Sequence, residues 1–152
     1  MKDTYLTIES QSEGLFKDKG SKFIAFAIPV CNEDEIKQHL ESIRKKYYDA
    51  RHHCYAYRLG LEGNIYRTND DGEPSNTAGK PIYGQILSNE LTNVLIIVVR
   101  YFGGILLGTG GLINAYKSAS ANAIANAKII KKTEDTLLKI IFDYTITNDV
   151  MK

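Results

Sequence analysis

Asn93 to Tyr116 reads NVLIIVVRYFGGILLGTGGLINAY, and the reading of this stretch decides the fold. Val94 to Val99 is an unbroken apolar run, which predicts a strand buried on both faces. It ends at Arg100 and meets two glycine pairs, Gly103-Gly104 and Gly110-Gly111, with Gly108-Thr109 between them. Beyond the second pair, Leu112, Tyr116, Ala119, Ala123 and Ala127 fall at helical spacing. A strand, a glycine-rich turn and a helix N-terminus leave backbone N–H groups converging on one spot, a geometry that suits an anion. Arg100 would place a guanidinium beside it.

Working outward, 152 residues suffice for one compact domain and the start of a second. With 43% hydrophobic and 24% charged residues, the composition excludes a disordered chain. A balance of 19 basic against 18 acidic residues excludes a strongly basic nucleic-acid coat and leaves room for a local patch. Cys31 and Cys54 are far apart and outside any metal-ligand spacing, so free thiols and no metal are expected. The N-terminus, MKDTYLTIES, lacks the apolar core of a signal peptide. The run at Val94 is far short of the roughly 20 residues of a membrane helix. A cytoplasmic protein with no membrane contact is expected.

Upstream of the central run, KDKGSK (Lys17–Lys22) is a charged turn leading into a strand over Phe23–Val30. Ile24, Phe26 and Ile28 share one face of that strand, and Phe23, Ala25 and Ala27 the other. Lys19 and Lys22 either grip a phosphate or simply solvate the strand entry. Asn32, with Glu35 three residues on, is a capping-box start for a helix whose apolar stripe is Ile36, Leu40, Ile43 and Tyr47. Ala50–Leu59 and Asn64–Asn69 read as a hairpin turned at Gly60–Gly63. Alternation sets His52, Cys54 and Ala56 against His53, Tyr55 and Tyr57. A cysteine beside two histidines invites a nucleophile reading, but nothing orients the pair, so no catalytic residue is assigned. Cys54 is read as core, and His52 as a hydrogen-bonding residue at the strand's start. Tyr55, Tyr57 and Tyr66 are read as packing tyrosines rather than a base-stacking platform.

Asn69–Pro81 is the most polar segment. Its carboxylates Asp70, Asp71 and Glu73 lack the spacing of an EF-hand. It is expected to be a surface turn before a helix that runs through Tyr83, Ile86 and Leu87, capped by Asn76 or Thr77. Lys131–Glu134 reads as a charged connector, and Leu137–Asn148 as a strand whose partner the sequence does not reveal.

Three of these stretches, KGSKFIA (Lys19–Ala25), DDGEPSNTAGKPI (Asp70–Ile82) and the opening Asn93–Tyr116, together resemble the IMPACT/YigZ family. The resemblance is to its N-terminal domain and covers roughly Ser10 to Ile130. It implies an α+β fold like the second domain of ribosomal protein S5: a four-stranded sheet with helices on one face and a left-handed crossover. It also implies a domain over residues 1–131, with 132–152 beginning a ferredoxin-like second domain. The family's association with translation implies a binding module for the ribosome, RNA or a translation-regulatory protein, with no cofactor. Eukaryotic relatives bind a ribosome-associated activator of the amino-acid-starvation kinase. By motif match, the anion- or partner-binding residues are Arg100, Gly103, Gly104, Gly108, Thr109, Gly110 and Gly111. Arg51, His52, Asp70, Asp71, Glu73 and Ser75 border them.

Three positions depart from the family pattern: Asn76 stands where glycine is common, Leu106 where lysine is, and Asn114 where arginine is. The two missing cations weaken the expectation of a polyanion partner. Three readings stay open. The surface is a translation-linked docking site; or it holds a small phosphorylated or carboxylated substrate on which His52 or an acid moves protons; or the glycines serve only close helix–sheet contact and positive φ. The first two lean on amides left free beside a lone guanidinium. The pocket they share would vanish if those amides were all engaged internally and the guanidinium buried against a carboxylate of its own chain.

Overall fold

Val94–Tyr101 is the middle strand of a five-stranded sheet in which every neighbouring pair is antiparallel. The computed structural model describes residues 3–133, so the strand expected over Leu137–Asn148 lies outside them. In chain order the elements are β1 (Thr4–Ile8), β2 (Ser12–Asp18), β3 (Ser21–Pro29), α1 (Glu33–Lys46), β4 (His52–Leu59), β5 (Ile65–Asn69), α2 (Gly79–Ser88), β6 (Val94–Tyr101), α3 (Gly108–Ala125) and β7 (Ile129–Thr133). The sheet runs β2-β3-β6-β4-β5, and β1 pairs antiparallel with β7 in a separate ribbon. Because β3 and β4 both flank β6 antiparallel, they are parallel to each other, and α1 makes the crossover between them.

The expected four-stranded sheet with helices on one face is corrected on both counts. Val94, Ile96 and Val98 join Phe23, Ala25, Ala27, Cys54 and Ala56 in a core closed by α2 and α3. Leu95, Ile97 and Val99 join Phe26, Ile28, Tyr55 and Tyr57 in a second core closed by Ile36, Leu40 and Ile43 of α1. The cause is the apolar run itself: a strand greasy on both sides leaves its sheet needing cover on both. The alternations read for β3 and β4 match this division residue by residue.

Local chemistry sets the connections. Lys19 (φ 48°) and Gly20 (φ 83°) make the two-residue turn between β2 and β3, the left-handed pair a tight hairpin prefers. Asn32 caps α1 by accepting from the Glu35 N–H at 2.9 Å, while Glu35 reaches back to the Cys31 N–H at 3.1 Å. The caps expected for α2 are not used. Thr77 donates its hydroxyl to the Pro74 carbonyl, and Asp70 Oδ1 instead accepts from the Ala78 and Gly79 N–H groups. Part of the stretch read as a connector, Lys131–Thr133, is strand β7. Strands β1 and β2 were not expected. Gly14 of β2 lies so close under α3 that an added Cβ would collide with the backbone of Ala119 and Ala123. No helix among the described residues is long and apolar enough to cross a membrane.

Candidate functional site

The end of β6, the start of β4, the Asp70–Thr77 loop and the N-terminus of α3 meet at one end of the sheet. Arg51 donates its N–H to the Arg100 carbonyl, and His52 lies opposite Arg100 in the β4–β6 register. The acidic loop turns back at Asp71 (φ 41°) and Gly72 (φ 88°), where the Glu73 N–H closes on the Asp70 carbonyl at 2.9 Å. Asp71 ties this loop to β4: its Oδ2 accepts from the His53 N–H at 2.6 Å. Its carbonyl lies 2.7 Å from His52 Nδ1, and since a carbonyl only accepts, Nδ1 carries the hydrogen.

The loop so held drives Glu73 inward. Its carboxylate accepts from Arg100 Nη1 at 3.0 and 2.8 Å and from the Tyr116 hydroxyl at 2.5 Å. His52 Nε2 stands 3.5 Å from Glu73 Oε1, a contact that becomes an ion pair only when the imidazole is protonated. Arg100 is 5% exposed and Glu73 7%. The guanidinium expected to stand alone beside the glycine turn is therefore buried against a carboxylate of its own chain. Its charge is neutralised in place, and that part of the anion-pocket expectation is corrected. Arg100 Nε remains without a hydrogen-bond partner among the described residues.

Cys54 is fully buried, its single S–H within reach of two acceptors, the Asp70 carbonyl at 3.1 Å and the Tyr116 hydroxyl oxygen at 3.4 Å. Burial pushes its thiol pKa far above the ordinary value, as it does for the Tyr116 phenol. A thiol held protonated is no nucleophile at neutral pH, which agrees with the core reading. Tyr55 and Tyr57 are buried in the α1-side core, and exposed Tyr66 stacks on Tyr83 with ring centroids 5.0 Å apart.

The helix after the glycine turn starts at Gly108, earlier than the spacing suggested, so Thr109, Gly110 and Gly111 form its first turn. Among the described residues no side chain caps this end, no acidic residue occupies the first turn, and an added Cβ on Gly108 or Gly110 would meet open space. Gly104 and Gly108 take positive φ (88° and 75°). Gly103 donates to Ser21 Oγ at 3.1 Å and lies against the backbone of Gly20, so its role is close approach.

A cleft of about 280 Å³ opens here. Of the residues expected at the site, Arg51, His52, Glu73, Arg100, Gly108 and Thr109 line it. Gly103, Gly104, Gly110, Gly111, Asp70, Asp71 and Ser75 do not, and the carboxylates of Asp70 and Asp71 are spent on backbone N–H groups. Pro74, Phe102, Leu106, Leu107 and Leu112 supply apolar walls that the sequence reading did not assign. Arg51 sits over the Phe102 ring at 4.6 Å. Among the described residues, no group of three or more His, Cys, Asp and Glu residues is placed to hold a metal.

Comparison with known proteins places this geometry in context. A family model described as the Impact N-terminal domain matches residues 19–124. The chain is 34% identical to the IMPACT family member YvyE of Bacillus subtilis (strain 168), over 95% of this chain and 67% of that one. A crystal structure of a hypothetical protein superposes with a TM-score of 0.83 at 35% identity, covering 88% of this chain and 66% of the other. The structure of the two-domain translational regulator Yih1 matches with a TM-score of 0.50 at 26% identity, over 78% of this chain and 48% of that one. The chain thus spans about two thirds of the first two proteins and about half of the third.

Proposed function

The chain belongs to the IMPACT family through its Impact N-terminal domain, and from that premise we propose that it is a translation-linked regulatory module. In this reading it docks on a ribosome-associated or regulatory protein, in the cytoplasm, through the loop between β6 and α3. The likeness to Yih1, named a translational regulator, supports the translational setting. The choice of a protein over bare RNA rests on one observation. Phe102, Ile105 and Leu106 are 38%, 54% and 82% exposed at the loop tip, around a cleft whose buried arginine is already neutralised by Glu73. Residues 1–131 as an N-terminal domain, with 132–152 opening a second, belong to the same proposal, as does the likeness to the second domain of ribosomal protein S5. The antiparallel sheet and its β3–α1–β4 crossover support the latter.

Ribosome association in sucrose gradients tests the docking surface. Ile105→Glu with Leu106→Glu alters only exposed side chains, so thermal unfolding should stay within a few degrees of wild type while co-migration with ribosomal fractions drops at least about fivefold. Unchanged co-migration with the fold intact would remove the loop from the function.

A further inference from the structure

We propose that the cleft at the N-terminus of α3 is a binding site for a small organic anion, a phosphomonoester or carboxylate head carrying an apolar body. This does not rest on the docking reading, which concerns a macromolecule at the loop tip, although Phe102 and Leu106 belong to both surfaces. Three independent observations converge on it. The first is the helix end: α3 is 18 residues long, and among the described residues its first-turn N–H groups have no side-chain cap and no acidic neighbour in that turn. Gly108 and Gly110 leave the space above them open. A negatively charged oxygen placed there would satisfy donors that the described chain does not.

The second is Arg100. It lines the cleft at 5% exposure, yet its Nε has no hydrogen-bond partner among the described residues. A buried N–H of a charged group is seldom left this way without a further acceptor. Glu73, the one carboxylate among the described residues lining the cleft, does not fill that need, because its oxygens already accept from Arg100 Nη1 and Tyr116. Among the described residues the lining holds two guanidinium groups, Arg51 and Arg100, and one carboxylate, so with His52 neutral it carries a net single positive charge.

The third is the apolar wall. Phe102, Leu106, Leu107 and Leu112 would be wasted on inorganic phosphate and suit a ligand that buries an aromatic or aliphatic group beside its charged head. The volume of about 280 Å³ admits a ring with its head group and little more.

The test uses the purified full chain and four probes: phenyl phosphate, 3-phenylpropanoate, inorganic phosphate and benzyl alcohol. Titration is followed by calorimetry and by the amide resonances of Gly108, Thr109 and Gly110. One of the two ring-bearing anions, or both, should bind saturably, at least about tenfold tighter than inorganic phosphate and than the neutral alcohol. The stronger of the two identifies the head group. Thr109→Asp puts a fixed carboxylate in the first turn, where it favours the helix dipole and so keeps the fold. It should weaken that binding about tenfold, while the neutral near-isostere Thr109→Asn stays within about threefold. Several results would overturn the proposal: no saturable binding of either anion, inorganic phosphate binding as well as phenyl phosphate, benzyl alcohol binding as well as the anions, or Thr109→Asp binding like wild type.

Discussion

Arg100 and Glu73 form an ion pair with side chains 6% and 3% exposed, and neither charge has bulk water to fall back on. Removing one member strands the other, which costs about 3–5 kcal/mol, while removing both is far milder. Glu73→Gln should therefore lower urea-unfolding stability by about 3 kcal/mol. Arg100→Met combined with Glu73→Met should cost less than the sum of the single changes, and a strictly additive cycle would refute the pairing. The sequence exposed Arg100 as the end of an apolar strand, but its partner lies 27 residues upstream in a loop rich in solvent-loving residues. Local pattern carries no signal for such an inward turn, so the lone-guanidinium expectation failed for want of the loop's path. Burial also fixes a pH dependence. Cys54 and Tyr116 have pKa values raised in the folded state above their ordinary 9.0 and 10.0, because burial disfavours thiolate and phenolate. The unfolded chain then releases protons that the folded one keeps. The stability these groups contribute is whole below about pH 8 and falls as pH rises through 9 and 10. Denaturation midpoints taken from pH 7 to 11 should decline on the alkaline side. Tyr116→Phe should flatten that decline while lowering stability at pH 7 by about 1 kcal/mol, through the lost bond to Glu73.

At the scale of elements, what was legible depended on how locally each was specified. The first helix was readable because its cap, stripe and charge gradient all lie within its own residues, Asn32 to Lys46. The second was readable as a helix but not in its cap, since the acceptor, Asp70, precedes Ala78 by eight residues and arrives by a folded-back loop. Asp70 also accepts from the Asn76 N–H at 2.9 Å, and Asn76 sits at φ 65°, where glycine is most at ease and asparagine next. That accounts physically for asparagine at a position where the resemblance implies glycine. Asp70→Ala should cost about 1–2 kcal/mol. Its mark would be faster amide exchange at Asn76, Ala78 and Gly79, with β3 unchanged. Uniform acceleration across the chain would mean the carboxylate has no special hold on this helix. Strands β1 and β7 escaped notice because each is five residues long and pairs across more than 120 positions, from Thr4 to Thr133. Short strands of mixed polarity become strands through their partner. The candidate site at the end of the sheet was half legible in the same sense: the glycine turn announced itself, whereas the apolar wall of Phe102, Leu106 and Leu112 required the fold.

For the whole molecule, charge separates a protein partner from an RNA partner for the proposed docking. The chain's net charge is +1, and its one buried arginine in the cleft is balanced by Glu73, so little positive potential is left to focus on a polyanion. Around the proposed docking loop, cations with water contact include Lys19, Lys22 and Arg51, and Lys22 and Arg51 lean on Tyr101 and Phe102. Were all three to grip phosphates, each would contribute a salt-dependence slope near −0.9. Affinity would then fall about 40-fold between roughly 50 and 200 mM salt. An apolar loop seated in a protein groove releases few counterions and should change less than about threefold over the same range. Gradient association measured at both salt concentrations separates the two cases, and nuclease treatment of the fractions gives an independent check. Weak salt dependence that survives nuclease supports docking on protein through Phe102, Ile105 and Leu106. A steep loss with salt, reduced by Arg51→Ala and Lys22→Ala but indifferent to the paired glutamates at Ile105 and Leu106, would assign the surface to RNA instead.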